Sequence, residues 1–424
     1  MLPIALPAAS ETAHDGSLIP GLVVEVEMEA NLELKENFDL DEGTPDNLVT
    51  LEPETGVVLV YRPVNWFEAE VKFNLTREFA LREEGPDEAR VAELDLEEAF
   101  VTFKNLYGGF GVQLGRQKFL DQREWLYDEE LDAALIWFEG EGLRVEFSAS
   151  RLDLVDRELL HKSRKKGERI NNYIMFTEYE ATEDITLNGY LVARDDRTGR
   201  EGDPILLGVR SKGEIYDGLD HWFELAYLTG KDKGKDLGGF AIDIGATYKL
   251  NLPLNPYVTL GYAFGSGDPD PNDGTDEAFR QTGLQENEAK FGGGIPRIKY
   301  YGEVFDPELS NLHIFTAGLG LRPTESFSIN FVYHRYKQDT IADELRNAEF
   351  DEPNQDPTRQ SKDLGDEVDI VLGFRDIFGV NELGVDLVLG YFFPGRAYRV
   401  KIADSVFADA DEAFFLSFQI GYAF

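Results

Sequence analysis

Between Gly115 and Asp132 the chain gathers Arg116, Gln117, Asp121, Arg123, Glu124, Trp125, Asp128 and Asp132. Guanidiniums among carboxylates can do one of two things. They can offer paired donors to an incoming carboxylate, or they can form an ion-pair network that holds an inward-folded loop. The spacing leaves both open. A second candidate is Phe279-Arg280-Gln281-Thr282-Gly283, midway along a connection spanning 268–310. Connections of that length are functional or unstructured. This one reads either as a constriction folded into a lumen or as an ordered surface cap.

Other chemistry is harder to find. Asp268, Asp270, Asn272, Asp273 and Asp276 alternate like oxygen ligands for a hard cation. The EF-hand pattern fails, because Asp273 stands where it needs Gly and Phe279 where it needs Glu. A solvated acidic loop is the better reading, so no metal is expected. His161, His221, His313 and His334 show no ligand spacing, and cysteine is absent. No Gly-x-Ser-x-Gly, zinc-helix or phosphate-loop motif occurs. The sequence predicts no enzyme and no cofactor.

The elements that must position these residues are strands. In 412–424 Phe414, Leu416, Phe418, Ile420, Tyr422 and Phe424 share one parity, and Ser417, Gln419 and Gly421 the other. Side chains alternate across a strand, so one face is apolar. In 19–35 Val24, Val26, Met28, Leu32 and Leu34 oppose Glu25, Glu27, Glu29 and Glu33. Eight hairpins lie between, turning at 63–65, 106–108, 140, 182–184, 216–219, 251–253, 323–325 and 378–382. Opening strand, hairpins and closing strand make eighteen, the even number of a bacterial barrel. The fold class is therefore all-β, an 18-stranded antiparallel transmembrane β-barrel. Its short turns are periplasmic and its long loops extracellular. The first strand should pair with the last, since a barrel leaves no edge.

Domain organisation follows. Residues 19–424 form a single barrel, and 1–18, opening MLPIALPAAS, read as a signal-peptide remnant or N-terminal tail. No apolar run is long enough for a spanning helix. A charge facing lipid at mid-depth costs about 2–4 kcal/mol for Arg or Lys. Charged residues opposite the apolar parity therefore belong to the lumen. They include Lys72, Arg144, Glu146, Arg194, Arg210, Lys212, Glu224, Asp243, His334, Asp369, Arg375, Asp386 and Arg396. Near Leu94–Ala99 the parity slips, which predicts a bulge. The net charge of −40 disfavours nucleic acid as a partner.

Three stretches resemble the alginate export family of outer-membrane porins. They are LDLEEAF (94–100) with LGRQKFLDQREWLYDEELDA (114–133), DGTDEAFRQTGLQENEAKFGG (273–293), and YYGEVFDPELSNLHI (300–314) with RPTESFSINFVYHRY (322–336). The resemblance implies a monomeric barrel in the bacterial outer membrane. It also implies a constricted, Arg-rich lumen that passes a polyanionic sugar. Arg116 and Arg123 join the pore lining by resemblance. The expected lining is Arg116, Arg123, Arg144, Arg194, Arg210, Arg375, Lys72, Glu25 and Glu27, with Phe279, Arg280 and Gln281 as constriction loop. The inward arginines are expected at one level, as a ring selecting anionic or sugar-like solutes. Two alternatives stand beside this. One is an acidic-lumen porin for cations or small solutes, because Glu25, Glu27, Glu29 and Glu33 face inward. The other is a sheath for a periplasmic partner such as a cytochrome. The lipid bilayer is a partner in every case, and Arg164-Lys165-Lys166 would meet lipopolysaccharide phosphates.

Overall fold

The computed structural model describes residues 19–84, 90–160, 169–198, 202–403 and 406–424. The 1–18 segment, His161 and the Arg164-Lys165-Lys166 run lie outside the described residues. Eighteen antiparallel strands close into one barrel. The first nine are β1 (Leu22–Glu36), β2 (Leu48–Val64), β3 (Phe67–Thr76), β4 (Glu93–Phe103), β5 (Phe110–Leu120), β6 (Asp128–Gly140), β7 (Leu143–Arg151), β8 (Ile170–Glu180) and β9 (Ile185–Asp196). The rest are β10 (Asp203–Tyr216), β11 (Leu219–Asp232), β12 (Phe240–Lys249), β13 (Pro256–Gly265), β14 (Leu312–Thr324), β15 (Phe327–Gln338), β16 (Asp363–Arg375), β17 (Leu383–Pro394) and β18 (Ala413–Ala423). Each pairs with its neighbours in sequence, and β1 pairs with β18 from Glu27↔Ala423 to Glu36↔Phe414. That seam satisfies the last free edge, as a membrane-spanning sheet requires.

The alternation sorts side chains as the lipid argument demands. Leu260, Phe315 and Ile244 face outward, while Ser328, Asn330 and Asp369 are buried within. The bulge falls in the predicted place. Lys72 faces Glu98 and Phe73 faces Leu96, which leaves Glu97 as the extra residue. Two elements differ from the sequence pattern. The first long connection is shorter than expected, because β2 begins at Leu48 and pairs there with Lys35. Its raised end is covered on the other side by a short strand, Phe79–Glu83. Arg396 lies past the end of β17 with its side chain 87% exposed, so it does not line the lumen.

Above the bulge the wall forks. Pairing of β4 with β5 stops at Ala99↔Arg116. Gly115 (φ 124°) makes the bend possible, since a Cβ there would stand 2.2 Å from the Ala99 carbonyl oxygen. The upper end of β4 turns instead to the 152–160 loop, where Leu96 N–H donates to Arg157 O (2.9 Å) and Leu159 N–H to Leu94 O (2.8 Å).

Candidate functional site

The lumen is filled by the chain's own longest connection. Residues 266–311 leave the loop end of β13 and descend inside the barrel. Their tip is Gly292-Gly293-Gly294, close to the opposite rim. Gly292 (φ 60°) passes so near Tyr257, the second residue of β13, that a Cβ would stand 2.7 Å from the ring. Ile295 N–H donates to Ser328 Oγ (2.9 Å), fixing the tip to β15. The returning arm pairs Arg297–Lys299 with Glu288–Lys290 in a small two-stranded sheet. The connection is a plug of nearly full height, taking the inward course rather than that of a surface cap.

A second inward turn, 121–127, holds the plug. Trp125 and Leu126 are fully buried. Gln281 Nε2 donates to Trp125 O (2.8 Å), and Asp128 N–H donates to Leu284 O (2.6 Å). Phe279 lies against the Trp125 ring, with centroids 6.0 Å apart. The turn is fixed to the wall through Asp121. Its carboxylate accepts from both Nη atoms of Arg210 (2.8 and 3.2 Å), and from the Arg123 and Leu126 N–H groups. Arg210 also pairs with Glu224. Burial pushes the Asp121 carboxyl up, but the Arg210 guanidinium more than offsets this and holds it below the usual carboxylate range. Glu124 goes the other way. Burial, reinforced by Asp128 and Glu288, pushes its carboxyl up to about 9 despite the adjacent Arg297.

The arginines singled out by sequence do not share one level. Arg144 sits beside the 141–142 turn and pairs with Glu139 and Glu146. Arg375 ends β16 at the same rim and chelates Asp386 (2.6 and 2.9 Å). Arg194, near the loop end of β9, donates to Thr282 O (2.5 Å). Arg210 lies mid-strand. Arg116 is not a lumen group at all. It is 3% exposed and occupies the fork, donating to both Asp132 oxygens and to the Leu96 and Val155 carbonyls. Resemblance misplaced it because the wall divides just beside Gly115. In the plug, Arg280 is committed to Asp232 (2.9 Å). Asp268 and Asp270 accept from backbone N–H groups two residues on, those of Asp270 and Asn272.

A cavity of about 590 Å³ lies under the 121–127 turn, near the short-turn rim. Arg123, Lys212, Lys290 and Arg297 line it, against Asp220 and Asp243. Trp222, Tyr300 and Tyr301 supply aromatic walls. The Arg123 guanidinium lies between the Trp222 and Tyr300 rings, 4.7 and 4.4 Å from their centroids. Asp243 fixes it by accepting from Nη2 (2.7 Å), and also accepts from Trp222 Nε1 (2.7 Å) and Tyr301 OH (3.0 Å). Burial pushes the Lys290 ammonium down, and Arg375, Arg322 and Arg297 push the same way. Lys290 thus sits among like charges, while Arg297 is paired with Glu124 and Lys212 lies 3.8 Å from Glu178. Sequence reasoning missed Lys290, Arg297, Tyr300 and Tyr301. The signal was the Gly292-Gly293-Gly294 run between two cations, where a chain can turn tightly inside a barrel.

The lumen face of β1 to β4 has the opposite sign. Glu25, Glu27, Glu29 and Glu33 face inward, and Lys72 bridges Glu27 (3.3 Å) and Glu97 (3.1 Å).

A family model described as alginate export matches residues 23–406. The alginate production protein AlgE of Azotobacter vinelandii is 29% identical over 184 residues, 40% of this chain and 37% of that protein. AlgE of Pseudomonas aeruginosa is 29% identical over 189 residues, again spanning 37% of its length. The match thus spans little more than a third of either of these relatives. AlgE of Pseudomonas syringae pv. tomato is 22% identical over 377 residues, 73% of this chain and 74% of that protein. Among solved structures, the outer membrane protein OprD of Pseudomonas aeruginosa superposes with a TM-score of 0.61 at 10% identity, covering 97% of this chain and 95% of its own. OccK5 (OpdH) of the same organism gives 0.59 at 10% identity, covering 94% and 97%. At such identities the likeness is one of fold.

Proposed function

Since this chain belongs to the alginate export family of outer-membrane barrels, we propose that it is a channel for anionic, sugar-like solutes, and that the cavity around Arg123 is where such a solute is held. The observation that carries this reading is the lining. Four cations face two carboxylates in a space of about 590 Å³. A guanidinium held flat between two rings keeps its charge at any working pH and presents fixed donors to a carboxylate. Flat aromatic walls suit the apolar face of a sugar ring. Arg123, Arg144, Arg210 and Arg375 then act as lumen charges spread over different heights, Arg144 and Arg375 at the short-turn rim, rather than as one ring. Arg280 and Phe279 shape the plug and leave selection to its tip.

The acidic face of β1 to β4 supports a second reading, passage of cations or small neutral solutes. A sheath for a threaded protein has less support, because residues 266–311 occupy the space it needs. The experiment is a reversal potential in a salt gradient, measured on the purified chain in planar bilayers. Anion preference is expected, and Lys212→Gln with Lys290→Gln should reduce it several-fold. A cation preference that these changes leave unmoved hands the case to the acidic wall.

A further inference from the structure

The plug is pressed against β15 to β17 by a buried cluster of carboxyl groups. Glu367 accepts from the plug's Val304 and Phe305 N–H groups (2.7 and 3.0 Å) and from Tyr336 OH (3.0 Å). Asp369, two residues on along the same face, is 1% exposed and lies against Glu367 and the backbone N–H of Glu303. The plug brings Glu303 beside Asp369, close enough for the two to act on each other electrostatically. A point beside Gly390, where a Cβ would stand, is 3.0 Å from Asp369 Oδ1 and 3.7 Å from Glu303 Cβ.

Positive charge is scarce around these groups. Lys299 gives its backbone N–H to Glu303 Oε1 (3.1 Å), but its ammonium is paired with Asp306. His334 bonds Thr316 Oγ1 through Nδ1 (3.0 Å), and its Nε2 stands 3.6 Å from Asp369 Oδ2, beyond a hydrogen bond. Carboxyl groups buried near one another, with so little positive charge beside them, resist ionising together and hold protons instead. We propose that Glu303, Asp369 and Glu367 form a proton-dependent latch that seats the plug, and that loss of the shared protons releases it.

The sign follows from Glu303. Burial pushes its carboxyl well above the usual range, Glu288 and Asp306 push the same way, and Lys299 opposes them. Released into water it would titrate near the ordinary value of about 4.3. The seated plug therefore binds protons that the released plug does not. Seating is favoured in acid and weakens as pH rises above the ordinary carboxylate range. The inference does not depend on which solute passes.

The test is conductance in planar bilayers from about pH 5 to about pH 8.5, a window above the ordinary carboxylate pKa. The unmodified channel should conduct several-fold more at the alkaline end. Glu303→Gln and Asp369→Asn imitate the protonated acid, so both should stay at the low level throughout. A flat profile in the unmodified channel, or an unchanged response in Glu303→Gln, overturns the latch. A second variant does not touch the carboxyls. Ile295→Cys with Ser328→Cys, in a chain without other cysteines, should lock the plug when oxidised. The pH response should then vanish and return on reduction; a response that survives oxidation also overturns it. Ion selectivity, which tests the solute reading, is read separately from these records.

Discussion

Replacing Arg210 with Met should destabilise the barrel and loosen the plug at once. The guanidinium stands between Asp121 and Glu224, and all three residues are no more than 5% exposed. Removing one partner of a buried pair costs about 3–5 kcal/mol, because the remaining charge is left uncompensated. Here two carboxylates are left. Asp121 keeps its N–H donors from Arg123 and Leu126, which places the expected loss near about 4 kcal/mol rather than higher. Urea unfolding in lipid vesicles, followed by tryptophan fluorescence, reads that loss. Adding Asp121→Asn and Glu224→Gln removes the stranded charges and should recover all but about 1–2 kcal/mol. There is a pH signature as well. The Asp121 carboxyl is held low in the native state, so its contribution is present above the unfolded value of about 3.9 and lost as pH falls below it. Arg210→Met should erase that acid slope. A loss under about 1 kcal/mol, or a triple variant no more stable than the single one, would refute the reasoning.

Two further outcomes follow from the same geometry. Deleting Gly274–Gly292 removes the descending arm of the plug and should raise single-channel conductance several-fold; a folded deletion with unchanged conductance would mean the lumen conducts elsewhere. Arg116→Met should free the 152–160 loop from the fork, so protease should cut there much faster while the strands stay intact, and an unchanged digestion pattern would show that Arg116 does not hold it.

The barrel was legible because lipid imposes a rule on every spanning residue. Phe240, Ile244 and Tyr248 face out and Asp243 faces in, as their parity requires. The cost of a misplaced charge makes that alternation hard to violate. The same rule is silent on residues that leave the wall. Arg116 has the outward parity of the exposed Leu114, and it is sheltered because the strand pairs separate above Ala99 and enclose it. The plug's depth was also out of reach. Phe279, Leu284 and Phe291 are buried in the plug, and how far it descends depends on Tyr257 of β13 and Ser328 of β15. The plug's height depends on register, and register between β13 and the plug is set by contacts rather than by local pattern. The one long-range element visible beforehand was the seam between β1 and β18, because closure leaves a single choice.

The charge of the whole chain says little about what passes through it. Of the −40, a large part lies on connections outside the membrane, where charges beyond about 8 Å are screened at physiological salt. Inside, the two signs are kept apart. The acidic face runs along β1 to β4, around Lys72, with Arg62 and Lys104 paired to Glu68 nearer the short-turn rim. The basic cavity lies across the lumen, under Trp222 and the plug tip. Two plug residues, Lys290 and Arg297, supply half of its cations. The plug is therefore both the obstruction and part of the selectivity. Displacing it opens the lumen and also removes half of the positive lining, leaving Arg123 and Lys212 opposite the glutamates. An opened channel should consequently discriminate less against cations than a seated one, and the latch would change what passes as well as how much.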